Sequence, residues 1–201
     1  MRITGLLASL IAVLVVTMSA SAPTRVAAQA AQAVGVVDFY SPGTLQTIPG
    51  VTPELFAADE LTAMLANASG GHFTVIPRRT MLQAQSQLGW RNWDALSFQR
   101  LQALGHAVNA DHLIVGWIPL LVISVGGGNG RIPPEGAGPP EATANLVVQV
   151  FGVAEGRILT ETRGSGFALG ATSNLLAEWS LQRALQPTVA PVLGALTSSA
   201  P

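Results

Sequence analysis

The sequence has no cysteine, no lysine, one tyrosine and few charges, which make up 10% of its 201 residues. Without cysteine there is no disulfide framework, thiolate metal site or cysteine nucleophile. There is also no cysteine to carry an acyl anchor. All ten basic residues are arginine, so Schiff-base chemistry and a P-loop lysine are excluded. Arginine-only basicity accompanies abundant alanine, glycine and proline, the composition of a high-GC genome. A formal charge of −1 gives no electrostatic case for nucleic acid. What is present is apolar: 49% of the residues, in a length that suits one domain, which argues against disorder.

Met1-Arg2-Ile3-Thr4 carries one positive charge and leads into an apolar run from Gly5 to Met18. Fourteen residues at helical rise reach about 21 Å, short of a hydrocarbon core of about 30 Å. Small residues follow, and Ala28-Gln29-Ala30 is an A-x-A site. This layout predicts a secretory signal peptide over 1–30, with an uncleaved anchor as the alternative. A single domain over 31–201 follows, in the periplasm or secreted. Beyond residue 30 eight arginines face eleven acids, a net charge of −3.

Residues 33–40 are a short β-branched run that reads as a buried strand. Thr52-Pro53-Glu54 reads as a helix start with a Thr cap, proline in the first turn and an acid against the dipole. Leu55, Ala58, Leu61, Met64, Leu65 and Ala68 then mark one apolar face. Phe73–Ile76 reads as a second strand. Pro77-Arg78-Arg79 leads into a short helix from Thr80. Asp94 reads as the cap of the next helix, whose inner side would be Leu96, Phe98, Leu101, Leu104 and Val108. His112–Ile118 reads as a strand continuing to Val125, bent near Pro119, because proline suits a bend better than a central strand. Residues 126–141 form a Gly/Pro-rich loop. Residues 143–153 and 158–168 read as a hairpin turning at Ala154–Arg157. A final helix follows Ser173-Asn174, with Pro187 and Pro191 expected to kink or end it. The fold class is α+β (mixed α/β): a four- to five-stranded mixed sheet with helices packed on it, a C-terminal hairpin and a closing helix.

No catalytic, cofactor or metal constellation emerges. His72, His106 and His112 lack metal spacing. Gly126–Gly130 is followed by no Lys-Ser/Thr, and Gly164-Ser165-Gly166 is not a nucleophile elbow. Glu54, Asp59 and Glu60 suit a helix start. Two binding candidates stand out. Arg78 and Arg79, at a helix entry, could hold an anion; Asp38, at the C-terminal end of the first strand, sits where open α/β sheets often place ligand groups. Trp90 and Trp93 flank Arg91 in a short connector, and aromatics with arginine are favoured at interfaces.

Four pieces in order resemble the curli secretion-channel (CsgG-like) family and related periplasmic proteins, among them lipoprotein activators of penicillin-binding proteins and the amino-terminal domain of TolB. The pieces are Val34-Gly35-Val36-Val37-Asp38-Phe39; Ser69 to Arg78 after a helix; the 94–107 helix; and Ala110-Asp111-His112-Leu113-Ile114-Val115-Gly116. The resemblance covers about residues 33–196. It implies a non-enzymatic envelope accessory that binds other envelope proteins or itself. Two departures are the missing acylation cysteine and a Leu113–Val125 segment without the alternation of a membrane strand. A pore-forming outer-membrane oligomer, and a small anion-binding protein or hydrolase using Asp38, Arg78 and Arg79, stay as alternatives.

Overall fold

The computed structural model describes residues 31–42, 48, 50–124 and 139–198. The leader predicted over 1–30, and residues 126–138 of the predicted loop, lie outside them. The elements are β1 (Gln32–Val36), α1 (Pro53–Ala68), β2 (Phe73–Val75), α2 (Arg78–Gln87), a 3-10 turn (Asn92–Leu96), α3 (Phe98–Val108), β3 (His112–Ser124), β4 (Glu141–Gly152), β5 (Arg157–Leu169) and α4 (Ser173–Ser198). They build an α+β fold on a five-stranded mixed sheet of order β2-β1-β3-β4-β5. β1 runs parallel to β2 and β3, while β3, β4 and β5 are antiparallel.

The topology fixes where the helices go. From β1 to β2 the chain steps one way across the sheet, and from β2 to β3 it steps back. Right-handed crossovers then place α1 and the α2–α3 pair on opposite faces. One core contains Leu61 and Leu65 of α1, Leu181 and Leu185 of α4, and Val34, Ile114, Leu146 and Val148 of the sheet. The other contains Met81 of α2, Leu101 and Leu104 of α3, and Leu113, Val115 and Phe151. On this second face the outer part of β5 carries exposed Glu161, Arg163, Ser165, Phe167 and Leu169.

Several sequence expectations are corrected. Thr52 precedes α1, but its side chain makes no capping bond; its C=O accepts the Phe56 N–H at 3.0 Å. Leu55 is 40% exposed, and Ala57 takes the inward position beside Ala58 and Leu61. Glu141 is not loop: it pairs with Ser124 and Leu169. β3 runs on past Pro119, but its register against β4 shifts between Trp117 and Leu120, as suits a residue without a ladder N–H. α4, by contrast, runs through Pro187 and Pro191. Arg183, Pro187 and Pro191 form one exposed stripe, so the carbonyls freed by the missing N–H groups open to solvent rather than core.

α4 lies very close to β5. A Cβ at Gly164 or Gly166 would strike the Ala184 and Ser180 carbonyl oxygens. The buried Ser180 and Thr188 hydroxyls donate within the helix, to Ala177 O at 3.0 Å and Leu185 O at 2.7 Å. Gln182 Nε2 donates to Glu60 Oε1 at 2.8 Å and ties α4 to α1.

Candidate functional site

The connector between α2 and α3 is built from local rules. At the end of α2, Gly89 adopts φ +60. The Gly89 N–H reaches Ser86 O at 3.1 Å and the Trp90 N–H reaches Gln85 O at 2.8 Å. This paired closure stops a helix and relies on glycine in the left-handed region. The chain then folds into the 3-10 turn. The Arg91 N–H donates to Asp94 Oδ2 at 2.9 Å, and the Asp94 N–H donates to Arg91 O at 2.8 Å. α3 begins after Ser97, whose Oγ accepts the Arg100 N–H at 3.4 Å. The cap of α3 is therefore Ser97, not Asp94.

Arg100 joins these parts. Its Nη2 donates to Leu88 O at 2.9 Å and to Asp94 Oδ2 at 2.8 Å. Its guanidinium sits 5.8 Å from the centre of the half-buried Trp90 ring, within cation–π range. The hydrogen bond from Arg100 holds the Asp94 carboxyl below its ordinary value, with smaller help from the Arg91 N–H and against an opposing cost of burial.

This frame presents apolar surface. Trp93 is 58% exposed, Leu96 59% and Phe98 49%. A helical period places Leu96 and Phe98 inward. Leu96 faces out instead, because the 3-10 turn has three residues per turn, and among its described residues Ala95 packs inward. Phe98, the first residue of α3, stays half exposed although its ring centre lies 5.7 Å from that of the buried Phe151. The exposed Arg91 lies over Trp93, 5.6 Å from the ring centre. Of the predicted binding residues, Trp90, Arg91 and Trp93 thus come together. Leu96, Phe98 and the organising Arg100 are not among those the sequence singles out.

Arg78 and Arg79 are placed elsewhere. The helix begins at Arg78 rather than Thr80, so both occupy its first turn. Arg78 pairs with Asp38 beyond β1 and donates to Asp59 Oδ1 of α1 at 2.7 Å. Two carboxylates neutralise its charge, and Arg78 works as a strut between β1 and α1. Arg79 points to solvent. Among the described residues, no group of three or more His, Asp or Glu could hold a metal ion. Among them, too, no helix is long and apolar enough to cross a membrane.

Comparison with solved structures finds the same architecture elsewhere. The hypothetical protein CT253 from Chlamydia trachomatis matches with a TM-score of 0.54 at 12% identity, over 85% of this chain and 100% of that one. Lipoprotein GNA1162 from Neisseria meningitidis matches at 0.51 and 15% identity, over 84% of this chain and 99% of that one. The LpoB C-terminal domain from Salmonella enterica matches at 0.42 and 20% identity, over 69% of this chain and 84% of that one. At these identities the first two similarities establish the fold alone. No family model matches the sequence, and no curated protein matches it.

Proposed function

We propose that the protein is an exported, non-enzymatic accessory of the cell envelope, acting in the periplasm or secreted, that works by binding another envelope protein. The observation that carries this reading is the Trp93–Leu96–Phe98 shelf. Three large apolar side chains lie about half exposed or more on a connector that Arg100, Asp94 and Ser97 hold in one shape. A preformed aromatic surface beside an arginine is what interface anchors are made of, and a rigid connector avoids the ordering cost of a floppy one. The Met1–Ala30 leader supports export. GNA1162, called a lipoprotein, shares the fold and fits an envelope setting. Arg78, neutralised by Asp38 and Asp59, does not favour the anion-binding reading.

The test is site-specific photo-crosslinking in intact cells. A photoreactive residue at Trp93 or Leu96 is expected to trap one discrete adduct, and one at the exposed Gln186 of α4 is expected to trap none. The adduct's mass separates a second copy of this chain from another envelope protein. The double variant Trp93→Ala, Leu96→Ala is expected to fold normally and lose the adduct. Absence of an adduct from both shelf positions, or a cytosolic protein with its leader intact, overturns the reading.

A further inference from the structure

The start of β1 is fastened to one acidic residue. The Ala33 N–H donates to Asp111 Oδ2 at 2.7 Å, and the Ala33 C=O accepts the Asp111 N–H at 2.8 Å. Backbone groups two residues apart on a strand point to the same side, and continuing β1 by one residue to Ala31 would turn its nitrogen toward β3 as that of Ala33 is, about 7 Å away. On that side lies a hollow of about 330 Å³ whose lining includes Gln32, His106, Asp111, His112 and Glu155. Gly152, the cross-strand partner of His112, leaves room for the Glu155 carboxylate, which a Cβ there would strike.

The charged groups come from every side. α3 contributes the exposed His106, the residue before β3 is Asp111, β3 itself begins with the buried His112, and the β4–β5 turn contributes Glu155. Arg157, at the start of β5, lies with Glu155 in a neighbouring hollow. Burial holds the His112 imidazole below its ordinary value, with Glu155 and Asp111 opposing, so its neutral form is favoured. Neither Asp111 nor Glu155 forms an ion pair among the described residues. Among the described residues the hollow therefore offers two carboxylates that no arginine pairs with.

We propose that this hollow seats the chain's own processed amino terminus: cleavage after Ala28-Gln29-Ala30 leaves an ammonium group on Ala31 that pairs with Asp111 and Glu155. Before cleavage the Ala31 nitrogen is a neutral peptide amide, and the acidic hollow lacks its counter-charge. Leader removal supplies a cation where the strand already directs it, next to the residue that clamps β1. This rests on the export half of the reading above and not on the Trp93 shelf.

The full 201-residue chain is exported, and the processed product is purified. Intact mass gives its first residue, and NMR titration gives the α-amino pKa. The expected product begins at Ala31, with an α-amino pKa at least about half a pH unit above the usual range of about 7.7–8.0. The elevation is expected to shrink in about 1 M salt and to fall in Glu155→Gln, which leaves the Ala33–Asp111 bonds intact. Asp111→Asn is expected to lower it further. A product that begins at Ala31 with an ordinary α-amino pKa, or with one that Glu155→Gln leaves unmoved, overturns the proposal and leaves export standing. So does a product that begins elsewhere. An unprocessed chain found outside the cytoplasm overturns the proposal alone, and an unprocessed chain retained in the cytoplasm overturns both.

Discussion

Arg100 and Asp94 meet at 2.8 Å, and the same guanidinium nitrogen reaches the Leu88 carbonyl that ends α2. One side chain thus fixes the angle at which two helices and a 3-10 turn join. Arg100→Ala is expected to cost about 1–2 kcal/mol in urea unfolding, mostly through the lost carbonyl bond and Trp90 contact. The Arg100 side chain is 36% exposed, so the ion pair itself contributes only about 0–1 kcal/mol. Arg100→Lys, without the planar fork, is expected to recover less than half. Full recovery by lysine would show that charge alone matters.

The same pair sets an acid limit. Because Arg100 depresses the Asp94 carboxyl, its contribution is fully present above the unfolded aspartate pKa near about 3.9 and is lost as the pH falls through and below that value. Asp94→Asn is expected to lower stability at pH 7 and to flatten its decline between about pH 5 and 3. Unfolding midpoints at several pH values in that window measure this. A wild-type slope in the variant contradicts it.

His112 should act at milder pH. Its imidazole is held below the ordinary value chiefly by burial, so the unfolded chain binds the proton first. Stability is then fully present above about pH 6.5 and declines as the pH drops below it. His112→Gln is expected to reduce the slope between about pH 7 and 5, whatever it does to stability at pH 7. Urea midpoints across that window read the difference, and parallel curves for both proteins contradict it.

What the sequence disclosed follows the range of each interaction. Alternating crossovers and the hairpin turn, expected at 154–157 and found one residue earlier at 153–156, were legible because turns, caps and periodicity are local, and they suffice for the sheet class. The break in regular pairing at Pro119 was legible for the same reason. The site was legible only in part. Trp90, Arg91 and Trp93 announce themselves by type, but Leu96 lies in a 3-10 turn that a helical period does not describe, and Phe98, at the start of α3, keeps one side on Phe151 and the other open. Ser97, three residues before the Arg100 N–H it caps, is the local signal that marks the true helix start. Arg78 could not be read as a strut, because its acids Asp59 and Asp38 lie 19 and 40 residues away.

Gln85 shows the cost of a polar group placed inside. It is 4% exposed in the core beneath α2, and its side-chain oxygen and nitrogen have no hydrogen-bond partner among the described residues. An unsatisfied buried amide costs about 1–3 kcal/mol. Gln85→Met keeps a long flexible side chain and removes the polar atoms. It is expected to raise stability by about 1 kcal/mol in urea unfolding. A loss of that size instead would show that the amide is satisfied in solution.

Glycines separate close approach from mere flexibility. At Gly164 and Gly166 a methyl group would meet the backbone oxygens of Ala184 and Ser180, and a helix backbone cannot step aside as a side chain can. Each Gly→Ala change is expected to cost about 1–3 kcal/mol by pushing α4 off β5. Gly194 lies in the same helix, and a methyl group there would meet nothing within 4 Å. There the substitution should stabilise by about 0.5–1 kcal/mol, because alanine loses less backbone freedom in a helix. Thermal unfolding of the three single variants decides the point. If Gly164→Ala and Gly194→Ala shift the midpoint in the same direction, α4 does not depend on the glycines of β5 for its seat.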